Sequence, residues 1–154
     1  MKGALPITIG CVCALTVSLL LARIHPFGNA GLYASNSTQS IMQHSQVPPK
    51  VRATLIAKCA DCHSTQTRTP FYGRFAPASW LMERDILKAR SAMNLSQWES
   101  YSPEDQETFK VKIMLEAETH MMPLAQYRAI HRNAGITDTD IQTFTQWAKE
   151  TSFP

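Results

Sequence analysis

Apolar side chains recur every three or four residues in four stretches of the chain, which is the spacing of an amphipathic helix. This period predicts helices over residues 50–58 and 80–92, a third from about residue 103, and a fourth from residue 137 or 138. Residues 64–77 contain several helix breakers and predict a loop. No stretch alternates apolar and polar residues as a half-buried strand does, so the pattern predicts an all-α domain. Proline or hydroxyl side chains mark the helix starts, at Pro48-Pro49, Ser79, Ser102-Pro103 and Thr137.

A different pattern precedes these helices, because residues 3–22 form a run of twenty residues without a charge. As a helix, this run is about 30 Å long, which is the thickness of the hydrocarbon core of a bilayer. It is longer than the apolar core of a signal peptide, and Tyr33-Ala34-Ser35 is a weak, distant cleavage site. We therefore expect residues 1–24 to form a single transmembrane anchor (or an uncleaved signal), with a cleaved signal peptide as the alternative.

Residues 28–46 are rich in glycine, asparagine, serine and glutamine, a composition typical of flexible linkers. The sequence therefore predicts a flexible tether over residues 25–47 and one domain over residues 48–154. An ordered loop packed on another element is the alternative for the tether.

Charge gives little indication of a polyanionic partner. The chain holds 15 basic and 12 acidic residues, and without Lys2 and Arg23, which flank the apolar run, 13 basic residues face the same 12 acidic ones. A domain so close to neutral carries no basic face, so nucleic acid is not expected as a partner.

The main chemistry lies in Cys59-Ala60-Asp61-Cys62-His63. Cys-x-x-Cys-His is the attachment sequence of a c-type haem: the two thiols form thioethers with the porphyrin vinyl groups, and the imidazole binds the iron. Cys-x-x-Cys as half of a zinc site needs a second Cys pair to complete four ligands, which the soluble part lacks, and a redox dithiol is expected within a βαβ pattern. The motif predicts one haem c attached through Cys59 and Cys62, with His63 as the proximal iron ligand.

A low-spin electron carrier needs a second axial ligand, and the candidates cluster in His120-Met121-Met122-Pro123. We expect Met122, because it lies 59 residues after His63 and Pro123 stiffens its backbone. A thioether opposite an imidazole raises the reduction potential. His120 and Met121 are the alternative ligands, and ordinary core packing is an alternative role for both methionines.

Two expectations concern the surroundings of the haem. The carbonyl of Pro70 or Pro77 is expected to accept the second imidazole N–H of His63. Side chains able to donate to the haem propionates are Tyr72, Arg74, Trp80, Arg90 and Trp98, although each is more typical of ordinary core or surface.

The ordered set of motifs resembles the bacterial haem-binding domain family of small monohaem c-type cytochromes, over about residues 48–149. The resemblance implies a cytochrome c-like helical domain around one haem, with iron held by His63 and Met122. The N-terminal uncharged run departs from the family pattern, and Leu95 replaces a usual aromatic residue. The matching segments are residues 59–64, Thr69-Pro70-Phe71-Tyr72, residues 76–80, Asn94-Leu95-Ser96-Gln97-Trp98, Met122-Pro123-Leu124 followed by Tyr127 and His131, and Trp147.

The expected function is that of a membrane-anchored monohaem c-type cytochrome that carries single electrons. Covalent haem attachment is expected on the exported side, so we expect a single-pass protein of the inner membrane whose haem domain faces the periplasm. Redox partner proteins are expected, and no nucleophile–base pair or carboxylate dyad predicts an enzyme. The alternatives are an accessory haem subunit of a larger membrane electron-transfer complex, and a haem enzyme or gas sensor with a labile sixth ligand.

Overall fold

The computed structural model describes residues 4–34, 41–43 and 45–150, and within them the prediction of an all-α domain is confirmed. Seven α-helices are present, with two 3₁₀ turns at Phe71–Arg74 and Leu95–Ser100 and no strand in the described part of the chain. The α-helices are α1 Ala4–Leu21, α2 Pro49–Lys58, α3 Ala60–His63, α4 Ala78–Ala92, α5 Pro103–Glu118, α6 Ala125–Ile130 and α7 Asp138–Lys149.

Local sequence signals set the start of two helices where the sequence predicts them. The Ser102 hydroxyl accepts from the Asp105 N–H at 3.1 Å and caps α5. Thr137 and Asp140 form a reciprocal capping box at the start of α7. The prediction is wrong for Ser79, which lies inside α4 and is fully buried, so it cannot act as the cap.

The main core lies between α5 and α7 and extends to α2 and the 3₁₀ turn at 95–100. Trp98 stacks at an angle on Trp147, with ring centroids 5.7 Å apart. Leu55 on the inner face of α2 is completely excluded from solvent. Burial of such side chains is the principal source of the domain's stability. The core also includes Ile41, Met42, Val47, Val51, Met93, Leu95, Ile113, Ala117 and Phe144.

Much of the segment predicted as a tether is packed on the domain where the structure describes it. Ala30 and Leu32 join Ile86 of α4 in a second apolar cluster, and Ile41, Met42 and Val47 belong to the main core. His25 donates from Nδ1 to the buried Glu83 carboxylate at 2.7 Å. The polar composition of the segment conceals these few apolar side chains, and they are what places it against the domain.

The end of α1 is also joined to the domain by hydrogen bonds. The Ser18 hydroxyl donates to the Ala76 carbonyl at 2.7 Å, and the Trp80 indole N–H donates to the Leu21 carbonyl at 3.0 Å. Among the residues that the structure describes, no helix has the length and apolar character needed to cross a membrane.

Candidate functional site

The Cys-x-x-Cys-His motif forms the junction between α2 and α3. The Cys59 N–H donates to the Leu55 carbonyl, and the His63 N–H donates to the Cys59 carbonyl, both at 2.9 Å. The backbone is therefore wound into a helical turn at the motif. Residues three and four apart share one face of such a turn, which brings the Cys59 and Cys62 thiols and the His63 imidazole to one side.

A backbone carbonyl fixes the tautomer of His63. Its Nδ1–H donates to the Met93 carbonyl at 3.0 Å, which leaves the Nε2 lone pair available for a metal. The expectation that Pro70 or Pro77 supplies this carbonyl is wrong, because Met93 at the end of α4 supplies it. The pattern of a ligating histidine, one nitrogen held and the other free, is complete in this chain.

The surroundings of His63 favour the neutral imidazole. Burial lowers the pKa of His63, and this effect outweighs the opposing influence of the carbonyls of Met93 and Ala89 and of the Glu116 carboxylate. Only a neutral imidazole can bind iron through Nε2. The burial that disfavours the charged imidazolium of His63 therefore suits a haem ligand.

The two thiols of the motif lie in apolar surroundings, each beside a different cluster. Cys59 packs against the main core, whereas Cys62 packs against the second cluster beside Leu32 and Ile86. Burial raises the pKa of Cys59 to about 12 and that of Cys62 to about 11, assisted by neighbouring acidic groups. The reactive cysteine of a redox dithiol has a lowered pKa, so the redox alternative fits these surroundings poorly. An apolar environment fits thiols that become thioethers at the edge of a porphyrin.

Arg90 holds the chain that follows His63. Its guanidinium donates to the Ser64 carbonyl and the Ala30 carbonyl, each at 2.8 Å, and to the Thr67 hydroxyl at 3.1 Å. These three contacts join α4, the loop after the motif and the N-terminal segment. The Arg90 guanidinium therefore donates to protein oxygens, which is a structural role.

The other side chains considered as propionate donors are hydrogen-bonded to protein atoms, buried in the core or exposed on the surface. The Tyr72 hydroxyl donates to His131 Nε2 at 3.1 Å, and the Trp80 indole bonds to Leu21 as described above. Trp98 is buried in the main core, and Arg74 is exposed. These placements agree with the ordinary structural roles that the sequence favours for each.

Asp61, inside the motif, is the centre of a network that sequence reasoning missed. Arg68 donates to the Asp61 carboxylate from Nε, to Oδ1 at 2.9 Å, and from Nη2, to Oδ2 at 3.1 Å. The Tyr127 hydroxyl donates to Asp61 Oδ2 at 2.8 Å. Burial, then the Asp61 carboxylate, raises the pKa of Tyr127, so its hydroxyl stays a donor at ordinary pH. The only sequence signal for this contact is the position of Tyr127 shortly after Met122.

The predicted distal ligand lies in the turn between α5 and α6, a separate segment from the motif. His120 adopts a left-handed conformation with φ of 53°, which ends α5 as a C-terminal cap residue commonly does. The Met122 N–H donates to the Glu116 carbonyl at 3.4 Å. Met122 is 36% exposed whereas Met121 is 67% exposed, so Met122 is the more enclosed of the two thioethers. The Tyr127–Asp61 hydrogen bond connects this segment to the haem motif.

Comparison with known proteins agrees with this arrangement. The profile of a family described as the haem-binding domain matches residues 17–150, which include the motif, the Met122 turn and most of the packed N-terminal segment. No curated protein and no solved structure gives a significant match.

Proposed function

The chain belongs to the haem-binding domain family, and from that membership we propose that it is a membrane-anchored monohaem c-type cytochrome which carries single electrons. The observation that carries the proposal is the His63 geometry: Nδ1–H is bonded to the Met93 carbonyl, and Nε2 is left to bind iron. When bound, the haem supplies reversible one-electron chemistry at its iron. The chain supplies the axial ligands, the apolar surroundings and the position.

Covalent attachment through Cys59 and Cys62 is the second part of the proposal. Both thiols lie on one helical turn with His63, and both are partly buried against apolar side chains. Denaturing mass spectrometry tests it: the intact protein should carry the mass of one haem after unfolding, and the Cys59→Ala/Cys62→Ala variant should lose it. Haem that dissociates from the unfolded wild-type chain would contradict attachment.

Met122 is the proposed distal ligand. Its greater enclosure relative to Met121 supports it, and His120 is an exposed residue that terminates α5. A thioether ligand gives a higher reduction potential than a second histidine does.

Axial ligation is tested by the absorption spectrum and the reduction potential of matched variants. We expect a weak far-red sulfur-to-iron band in the oxidised protein, lost in Met122→Ala with a lower potential and retained in Met121→Ala. Equal effects of the two substitutions would contradict the assignment. A low-spin spectrum without the band would indicate His120 or another nitrogen ligand. A high-spin spectrum with rapid carbon monoxide binding would instead support the gas sensor or enzyme.

Attachment to a membrane is proposed through α1. This helix contains no charged residue, and its large apolar side chains are exposed, among them Ile9, Val12, Leu15 and Leu20. Water solvates such a surface poorly, so the helix calls for apolar surroundings. We propose that the whole uncharged run of residues 3–22, which is longer than α1, forms a single-pass anchor in the inner membrane, with the haem domain at the periplasmic face, where it meets redox partner proteins.

Cell fractionation tests this placement. The full chain should remain with membranes after a high-salt and alkaline wash, and protease added to the periplasmic side should reach the haem domain. Release into the soluble fraction would contradict the anchor. Stable co-purification of other chains with the detergent-extracted protein would favour the accessory subunit of a larger complex.

A further inference from the structure

The haem-attachment motif and the segment that carries Met122 are joined by one hydrogen bond between side chains. The Tyr127 hydroxyl donates to Asp61 Oδ2 at 2.8 Å, and these two residues are 66 positions apart in the chain. Asp61 stands between Cys59 and Cys62, whereas Tyr127 lies in α6, five positions after Met122. The contact therefore links the two segments proposed to hold the iron from opposite sides.

Both partners of this bond are held in place by other groups. Arg68 fixes the Asp61 carboxylate through two guanidinium nitrogens, and the Thr67 hydroxyl donates to the Asp61 carbonyl at 2.8 Å. A charged acceptor makes the bond from Tyr127 stronger than a bond between neutral groups. Arg68 and Thr67 thus hold Asp61 in place independently of Tyr127.

His131 supports the Tyr127 ring from the other side. The two rings are stacked with centroids 4.0 Å apart and an interplanar angle of 24°. His131 Nδ1–H donates to the Tyr127 carbonyl at 3.1 Å, and His131 Nε2 accepts from the Tyr72 hydroxyl at 3.1 Å. Both nitrogens of His131 are occupied within the protein, so this histidine acts as a support for Tyr127 in the described structure.

We propose that Tyr127 is a positioning residue, which clamps the Met122 segment onto the haem motif through Asp61 and so limits how readily the distal ligand leaves the iron. This inference rests on the proposed function, in which Met122 is that ligand. The physical reason is that residues 119–122 of the turn are exposed, and the 2.8 Å bond from Tyr127, in the helix that follows, ties this segment to the motif. Without the bond, the segment opens more often and leaves the sixth position of the iron open to another ligand.

The test is the affinity of the oxidised holoprotein for added imidazole, which binds only when the methionine has left. Loss of a hydrogen bond to a charged group changes an equilibrium by roughly tenfold to a hundredfold, so Tyr127→Phe should bind imidazole tighter by about that factor. Tyr33→Phe is the matched control. It removes a phenolic hydroxyl that donates to the Gly73 carbonyl at 3.0 Å, between two segments that carry no proposed ligand, and should leave imidazole affinity unchanged.

Variants of Asp61 separate a clamp from a general loss of stability. Asp61→Asn keeps an oxygen that can accept from Tyr127 and should retain much of the wild-type affinity, whereas Asp61→Ala should match Tyr127→Phe. The double variant Asp61→Ala/Tyr127→Phe should bind imidazole no more tightly than either single variant, because both substitutions remove the same bond. Additive effects of the two changes, or an imidazole affinity in Tyr127→Phe equal to that of the wild type, would overturn the clamp.

Failure of the clamp and failure of Met122 as ligand give different results. A wild-type protein without the far-red methionine band contradicts the ligand assignment whatever Tyr127 does. In that case, amide hydrogen exchange of residues 119–124 in the holoprotein tests whether Tyr127 holds this segment on the motif. Faster exchange in Tyr127→Phe than in Tyr33→Phe supports it, and equal exchange overturns it.

Discussion

Replacing Arg90 by alanine should strongly destabilise the domain, because one guanidinium serves three acceptors in different parts of the chain. The acceptors are the Ser64 carbonyl, the Ala30 carbonyl and the Thr67 hydroxyl, and all three residues are buried. Ser64 directly follows the proposed iron ligand His63. The contacts therefore couple the position of that ligand to α4 and to the N-terminal segment.

The magnitude follows from the three bonds. A hydrogen bond contributes about 1 kcal/mol net, and an unsatisfied buried acceptor costs about 1–3 kcal/mol, although water reaches part of the space that Arg90 leaves. We expect Arg90→Ala to lower the free energy of unfolding by about 3 kcal/mol, a large share of the total for a domain of this size. Arg90→Lys should lose about half as much, since an ammonium cannot present the planar fork that reaches all three oxygens.

The assay is urea unfolding of the holoprotein, followed by circular dichroism and by the haem absorption spectrum. Arg84→Ala is the control on the same helix. The Arg84 guanidinium bonds to the neighbouring Asp85 at 2.8 Å and is partly exposed, so its loss should cost below about 0.5 kcal/mol. If Arg90→Ala costs no more than Arg84→Ala, the reasoning from buried acceptors is refuted.

Three further predictions concern the core, the thiols and a helix cap. Leu55→Ala should lower the free energy of unfolding in urea by about 3 kcal/mol, whereas replacing its exposed neighbour Ile56 should cost below about 1 kcal/mol; similar losses would contradict the packing of α2. Burial raises the pKa of Cys59 to about 12 and that of Cys62 to about 11 in the folded chain, so the folded thiols keep protons that the unfolded chain releases. The haem-free protein should therefore lose stability as pH rises above 9.0 toward about 12. The Cys59→Ala/Cys62→Ala variant should lack this part of the alkaline loss, and an identical pH profile would show that folding does not raise the pKa values of the two thiols. Ser102→Ala should cost about 1 kcal/mol in thermal unfolding through loss of the α5 cap. Ser91→Ala is the control and should cause no such loss, because the exposed Ser91 hydroxyl donates to the Lys88 carbonyl within α4 and caps no helix start.

The fold class and most helix positions could be predicted because their causes are local. The predicted helix over residues 50–58 corresponds to Pro49–Lys58, and the predicted start at Thr137 corresponds to a capping box. Ser79 shows the limit of this reasoning: a serine at the start of an apolar period is a frequent cap, but α4 already begins at Ala78, so Ser79 lies inside the helix as a fully buried residue. The short helix α6 has too few residues for a period to be recognised.

The haem motif itself is a property of the sequence alone. Two thiols and an imidazole at offsets of three and four residues meet on one helical turn wherever that turn forms, so Cys59, Cys62 and His63 could be named without a structure. The partners of these residues could not. The Met93 carbonyl that orients His63 lies 30 positions away, and Tyr127, which reaches Asp61, lies 66 positions away. Sequence periodicity describes neighbours three or four residues apart, whereas hydrogen bonds of this kind depend on how α4 and α6 pack around the motif, and only the tertiary structure decides that.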